Sequence, residues 1–183
     1  MNRLWLLLLV ATFTVSGISL SATPVRAAGP LSTAVIHELE AGGVPWIVTG
    51  GTATTSTVAL PKTSGTGALQ VTYNLTSTSQ VQLGLKTGPS DLAGLPRSIS
   101  VDVYGDGSWN VLYVQVRDAT GEIFHYRVGN ISHTGWKTMT TELGSVAPAA
   151  IQVGDGDGVL DLPVHLFKLV IDKNPGALDL TWT

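Results

Sequence analysis

The chain has 183 residues, with 10 Lys and Arg against 13 Asp and Glu and no cysteine. The small negative charge, spread without a basic cluster, leaves no electrostatic footprint for nucleic acid or an anionic membrane. Disulfides and lipid attachment through cysteine are excluded, and the length suits one domain whose core must hold by packing, with or without a metal.

The N-terminus reads as an export signal. Arg3 precedes an apolar run from Leu4 to Val10 that continues less strongly to Leu20, and small residues around Val25-Arg26-Ala27 predict cleavage after Ala27 or one residue later. A membrane anchor fits less well, because Thr12, Thr14, Ser16, Gly17 and Ser19 interrupt the run and a span needs about 20 mostly apolar residues. The expectation is a removed signal peptide over 1–28 and one domain over 29–183, secreted or extracellular, at the cell surface or in the periplasm.

Beyond the signal, apolar and polar residues alternate with the period of half-buried strands. The Thr- and Gly-rich stretch 49–57 continues into Val58 and reads as an edge strand with its loop. Leu69, Val71 and Tyr73 share a face, as do Val81, Leu83 and Leu85. From Ile99 to Trp136 three alternating strands follow one another, separated by Gly105-Asp106-Gly107-Ser108 and Asp118-Ala119-Thr120-Gly121, which have turn composition. Phe124, Tyr126 and Val128 form a further apolar face, and Phe167, Leu169 and Ile171 are expected to do the same against Lys168 and Asp172. No segment of comparable strength has a helical period with caps. Short strands at near-regular spacing predict an all-β, antiparallel β-sandwich of the jelly-roll kind.

The chemistry is less legible. Asp155-Gly-Asp157-Gly-Val-Leu-Asp161 invites a calcium reading, since carboxylates on a tight glycine turn converge on hard cations. It is not an EF-hand, whose fifth, sixth and twelfth positions would fall on Val159, Leu160 and Leu166, and a solvated turn fits the same residues. A second oxygen-rich site could join Glu38 and Glu40 of the first mature strand to Asp179 of the last. His37, His125, His133 and His165 show no zinc spacing, and no Gly-x-Ser-x-Gly elbow is present. The residues therefore favour a non-catalytic protein. Trp109, after Gly-Asp-Gly-Ser, suits an exposed platform for a sugar ring or, equally, structural packing, whereas Trp136 is expected to pack against the sheet. Tyr113, Gln115 and Arg117 project from one strand face, with His125 and Arg127 on its neighbour.

VYGDGSWNVLYVQVRDATGEIFHYRVGNISHTGWK, preceded by GTGALQVTYNL and followed by GDGDGVLDLPVHLFKLVIDKNPGALDL, resembles the β-sandwich carbohydrate-binding modules of the galactose-binding-like superfamily. It is similar to copies accompanying secreted bacterial glycosidases, including phosphodiester glycosidase proteins, over most of the chain from about Ile36 onward. The resemblance implies a non-catalytic module that binds a polysaccharide or cell-surface glycan, and the polar aromatic strand face offers Trp109, Tyr113, Gln115, Arg117 and His125 as its contact surface. It also implies a structural calcium ion held by Glu40, the backbone oxygens of Thr66 and Gly67, and Asp179. The last strand departs from the family pattern of two successive acidic residues, because Leu180-Thr181-Trp182 follows Asp179; a shifted register would put Thr181 at the ligand position. The competing readings are an extracellular structural or protein-interaction domain, with a catalytic or surface protein as partner, and a small glycosidase or phosphodiester hydrolase that would need paired carboxylates.

Overall fold

The computed structural model describes residues 2–13, 32–38, 46–63, 65–86, 90–92, 94, 96–144, 150–151 and 154–174. In chain order the strands are β1 (Asn2–Phe13), β2 (Ser32–Glu38), β3 (Trp46–Gly50), β4 (Thr52–Val58), β5 (Ala68–Asn74), β6 (Gln80–Leu85) and β7 (Ser90–Leu92). They continue with β8 (Pro96–Asp106), β9 (Val111–Arg117), β10 (Ile123–Asn130), β11 (Thr134–Glu142), β12 (Ala150–Ile151) and β13 (Val164–Asp172). The described residues contain no helix, and every described pairing is antiparallel.

The strands form two sheets that share one core. The first runs β11-β8-β1-β5-β4, with β2 alongside β1, and the second runs β12-β10-β9-β13-β6-β3, with β7 beside β13. Alternation decides which side chains meet between them. Leu69, Val71 and Tyr73 of β5 and Ile99, Val101 and Val103 of β8 are buried from the first sheet. Val81, Leu83 and Leu85 of β6, Leu112, Val114 and Val116 of β9 and Phe124 and Tyr126 of β10 are buried from the second. The fold is thus the expected all-β antiparallel sandwich, with the predicted inward faces of β5, β6, β8 and β9 facing inward.

Two features depart from simple alternation. The 49–57 stretch is split at Gly51, where the chain leaves β3 on the edge of the second sheet and enters β4 on the edge of the first. Gly51 has φ +78°, and a Cβ there would stand 2.2 Å from the Gln80 carbonyl oxygen. On β13 the register against β9 slips between Leu166 and Lys168. Leu166 and Leu169 both enter the core, while Phe167, expected inside, lies half-buried beneath Arg117. An extra residue in a bulge inverts a strand's alternation, and that inversion moved the ring out.

The residues that read as an export signal also have a place in the sheet. In β1, Leu4 and Leu6 stand opposite Val71 and Leu69 of β5, and Leu9 and Ala11 opposite Val101 and Ile99 of β8. β1 is therefore the central strand of the first sheet.

Candidate functional site

Four of the five expected contact residues come together on the outer face of the second sheet. Tyr113 on β9 and His125 on β10 pack ring against ring, with centroids 4.1 Å apart and planes tilted by 58°. Gln115 stands directly opposite His125 in the β9–β10 ladder and opposite Lys168 in the β9–β13 ladder. These neighbours leave it only 6% exposed although it points away from the core. Lys168 Nζ donates to Gln82 Oε1 at 2.8 Å, extending the polar surface onto β6. At the far end of β9 the Arg117 guanidinium lies 4.5 Å from the centre of the Phe167 ring, a cation–π contact that flattens the side chain along the sheet.

The electrostatics of this face follow from its partial burial. Desolvation lowers the His125 pKa, and the charge of Asp172 opposes that shift. Asp172 is itself raised by burial, with His125 pulling it back. Arg117 Nε and His125 Nε2 are buried and have no hydrogen-bond partner among the described residues. The face thus offers an aromatic surface, a guanidinium, an amide and an imidazole within a few strands of one another.

Trp109 lies off the end of this face, in the turn between β8 and β9. It is 55% exposed, and its φ of 62° is the one positive value outside glycine among the described residues. The turn is tied from several sides. Trp109 N donates to the Ile131 carbonyl at 3.0 Å, and its own carbonyl accepts from Asn130 Nδ2 at 3.0 Å and Asn174 Nδ2 at 3.1 Å. Beneath it the Tyr73 hydroxyl donates to Asp106 Oδ2 at 2.8 Å and accepts from Asn110 Nδ2 at 3.2 Å, with Ser108 Oγ at 3.1 Å. Burial, then the Asp106 charge, pushes the Tyr73 phenol well above its ordinary range. Trp136 packs edge-on against Tyr104, with centroids 5.4 Å apart, on the outer face of the first sheet, which agrees with the packing role expected for it.

The metal site implied by the resemblance is only partly on view. Glu40 and Asp179 lie outside the described residues, while Thr66 and Gly67 form the approach to β5. A different acidic group is assembled at the opposite end of β9. The Asp118–Glu122 turn is wound around one carboxylate: Asp118 Oδ1 accepts from Thr120 N at 3.0 Å, Thr120 Oγ1 at 2.9 Å and Glu122 N at 2.8 Å. Asp118 Oδ2 accepts from Asp161 N at 3.3 Å, which ties this turn to the glycine-spaced loop. In that loop Gly154, Gly156 and Gly158 have φ of 85°, 73° and 73°, and Gly154 approaches so closely that a Cβ would stand 2.6 Å from Glu122 N.

Carboxylate oxygens of Glu122, Asp155 and Asp157 thereby lie within 4.8 Å of one another. Glu122 sits near the molecular surface, yet the loop folded over it leaves it 0% exposed, and neither of its oxygens completes a hydrogen bond. Burial is the main force raising the Glu122 pKa; the Gly158 amide works against it, and the charges of Asp155, Asp118 and Asp157 add to it. Asp161 is raised by burial and then by Asp157, Asp118 and Asp155. The sequence marks the Asp loop but not Glu122, because 33 residues separate Glu122 from Asp155 and only the tertiary fold brings them together. On the other side of the same turn, Asp91, Arg117, Thr120 and His165 border an open cleft of about 380 Å³, where His165 Nδ1 meets Asp91 Oδ1 at 2.7 Å.

Residues 88–153 are similar to the family of the flagellar filament outer layer protein FlaA, over about a third of the chain. No curated protein and no solved structure matches.

Proposed function

We propose that the protein is a non-catalytic carbohydrate-binding module that works outside the cytoplasm, with the outer face of the second sheet as its binding surface. The observation that carries this reading is the Tyr113–His125 ring pair, set beside Gln115 and Arg117 on two adjacent strands. A sugar ring has apolar C–H faces and a rim of hydroxyls. It needs a flat aromatic surface together with fixed donors and acceptors, which is the chemistry of these four side chains. Trp109 stands four residues before Tyr113, in the turn that leads into β9, so it would extend contact with a chain of several sugar units rather than with one ring. Retention of the folded protein on polysaccharide affinity gels tests the proposal. Tyr113→Ala is expected to weaken binding about tenfold, equivalent to about 1.4 kcal/mol. A folded protein retained by no cell-wall or plant polysaccharide would sink the idea.

One observation favours a second reading. The similarity to an outer-layer protein of flagellar filaments spans 88–153 and so includes β8 to β11 and the proposed face. On that reading the same face meets a protein surface. Capture of a defined protein partner that no glycan displaces, and whose binding Tyr113→Ala weakens, would favour it over carbohydrate.

A further inference from the structure

We infer that the Asp118–Glu122 turn and the 154–161 loop form a calcium site, with the carboxylates of Glu122, Asp155 and Asp157 as ligands. Three carboxylates within 4.8 Å repel one another unless a cation lies between them. The exposed pair, Asp155 and Asp157, could by itself be a solvated turn. Glu122 removes that option: it is fully buried and directed into the same cluster, and neither of its oxygens completes a hydrogen bond, the Gly158 amide offsetting its burial only in part. A buried carboxylate without a completed hydrogen bond is costly, and a bound cation supplies the missing compensation. No Lys or Arg forms an ion pair with Asp118, Glu122, Asp155, Asp157 or Asp161 among the described residues.

The donor set selects the metal. It is all oxygen, with no His and no Cys, which disfavours zinc and the softer transition metals. Magnesium demands a near-ideal octahedron and gives up water reluctantly. Calcium accepts irregular arrangements of carboxylates and backbone carbonyls, and a loop with glycine at every second position, Gly154, Gly156 and Gly158, can turn such carbonyls inward. Asp118 serves as a brace rather than a ligand, since both of its oxygens are engaged by the turn and by Asp161 N. Its ligand set shares no residue with Glu40, Thr66, Gly67 and Asp179, and it is independent of whether the sheet face binds sugar.

The test is calorimetric titration and thermal melting of chelator-stripped full chain with calcium chloride, compared with magnesium chloride. Calcium at one hundred times its dissociation constant is expected to raise the melting temperature by about 5–10 °C. Glu40→Gln should keep that rise, whereas Glu122→Gln and Asp157→Asn should lose it. Without calcium, Glu122→Gln should melt above the unsubstituted protein, because the substitution removes an uncompensated buried charge; this separates loss of a ligand from misfolding. If Glu122→Gln does not fold, the exposed Asp157→Asn carries the comparison. The inference is overturned if the stripped chain takes up no calcium, if magnesium gives the same shift at the same concentration, or if the rise survives Asp157→Asn.

Discussion

Trp109 combines two properties that rarely coincide, an exposed indole and a left-handed backbone. A non-glycine residue at positive φ costs roughly 1–2 kcal/mol, and the hydrogen bonds from Asn130, Asn174 and the Tyr73 cluster hold it there. Trp109→Gly is accordingly expected to melt at or slightly above the unsubstituted protein while losing affinity for an extended glycan, as read by melting and gel retention together. Tyr73→Phe goes the other way. It strands Asp106 Oδ2 and Asn110 Nδ2 in a buried setting and should cost about 1–3 kcal/mol in denaturant unfolding. His125 introduces a pH dependence. Its native pKa lies below the ordinary 6.5, so the unfolded chain binds more protons as pH falls through that value. The His125 contribution to stability should be full above pH 6.5 and decline as pH falls below it, and His125→Asn should flatten that decline; Asp172, raised in the fold, contributes with the opposite sign at lower pH. At this scale the sequence showed Trp109 through the glycine turn before it, and Tyr113, Gln115, Arg117 and His125 through their alternation. It could not show that Glu122 joins the Asp155–Asp157 cluster, since nothing local distinguishes that carboxylate from a surface one.

The strands were the most legible level, because a period of two in Val, Leu, Ile and Phe is a direct imprint of a sheet with one buried face. The exceptions arose where one residue breaks the period. The bulge at Phe167 shifts the phase of β13 without any sequence signal, as Phe is at home on either face. Gly51 had such a signal but an ambiguous one, because a Gly-Gly pair suits a loop, a bulge or a crossover equally well. The structure makes it a crossover between sheets, with the Gln80 carbonyl where a side chain would begin. Gly51→Ala is therefore expected to cost at least about 2 kcal/mol in urea unfolding, through both positive φ and overlap. An equivalent substitution at Gly121, also at positive φ but with no atom within 4 Å of a Cβ, should cost less.

Across the whole molecule the two sheets do not depend on the same parts of the chain. The second is built entirely from residue 46 onward, while the first has Asn2–Phe13 at its centre, between β5 and β8. Comparing the melting of the full chain with that of 29–183 measures what this strand contributes. A drop of about 10 °C is expected, the scale of losing several kcal/mol in a domain of this size. The consequence reaches into timing. The apolar run that the sequence offers as an address for export is also the strand at the centre of the first sheet, so if Leu4 to Ala11 served as that address, folding around them would hide it from whatever reads it.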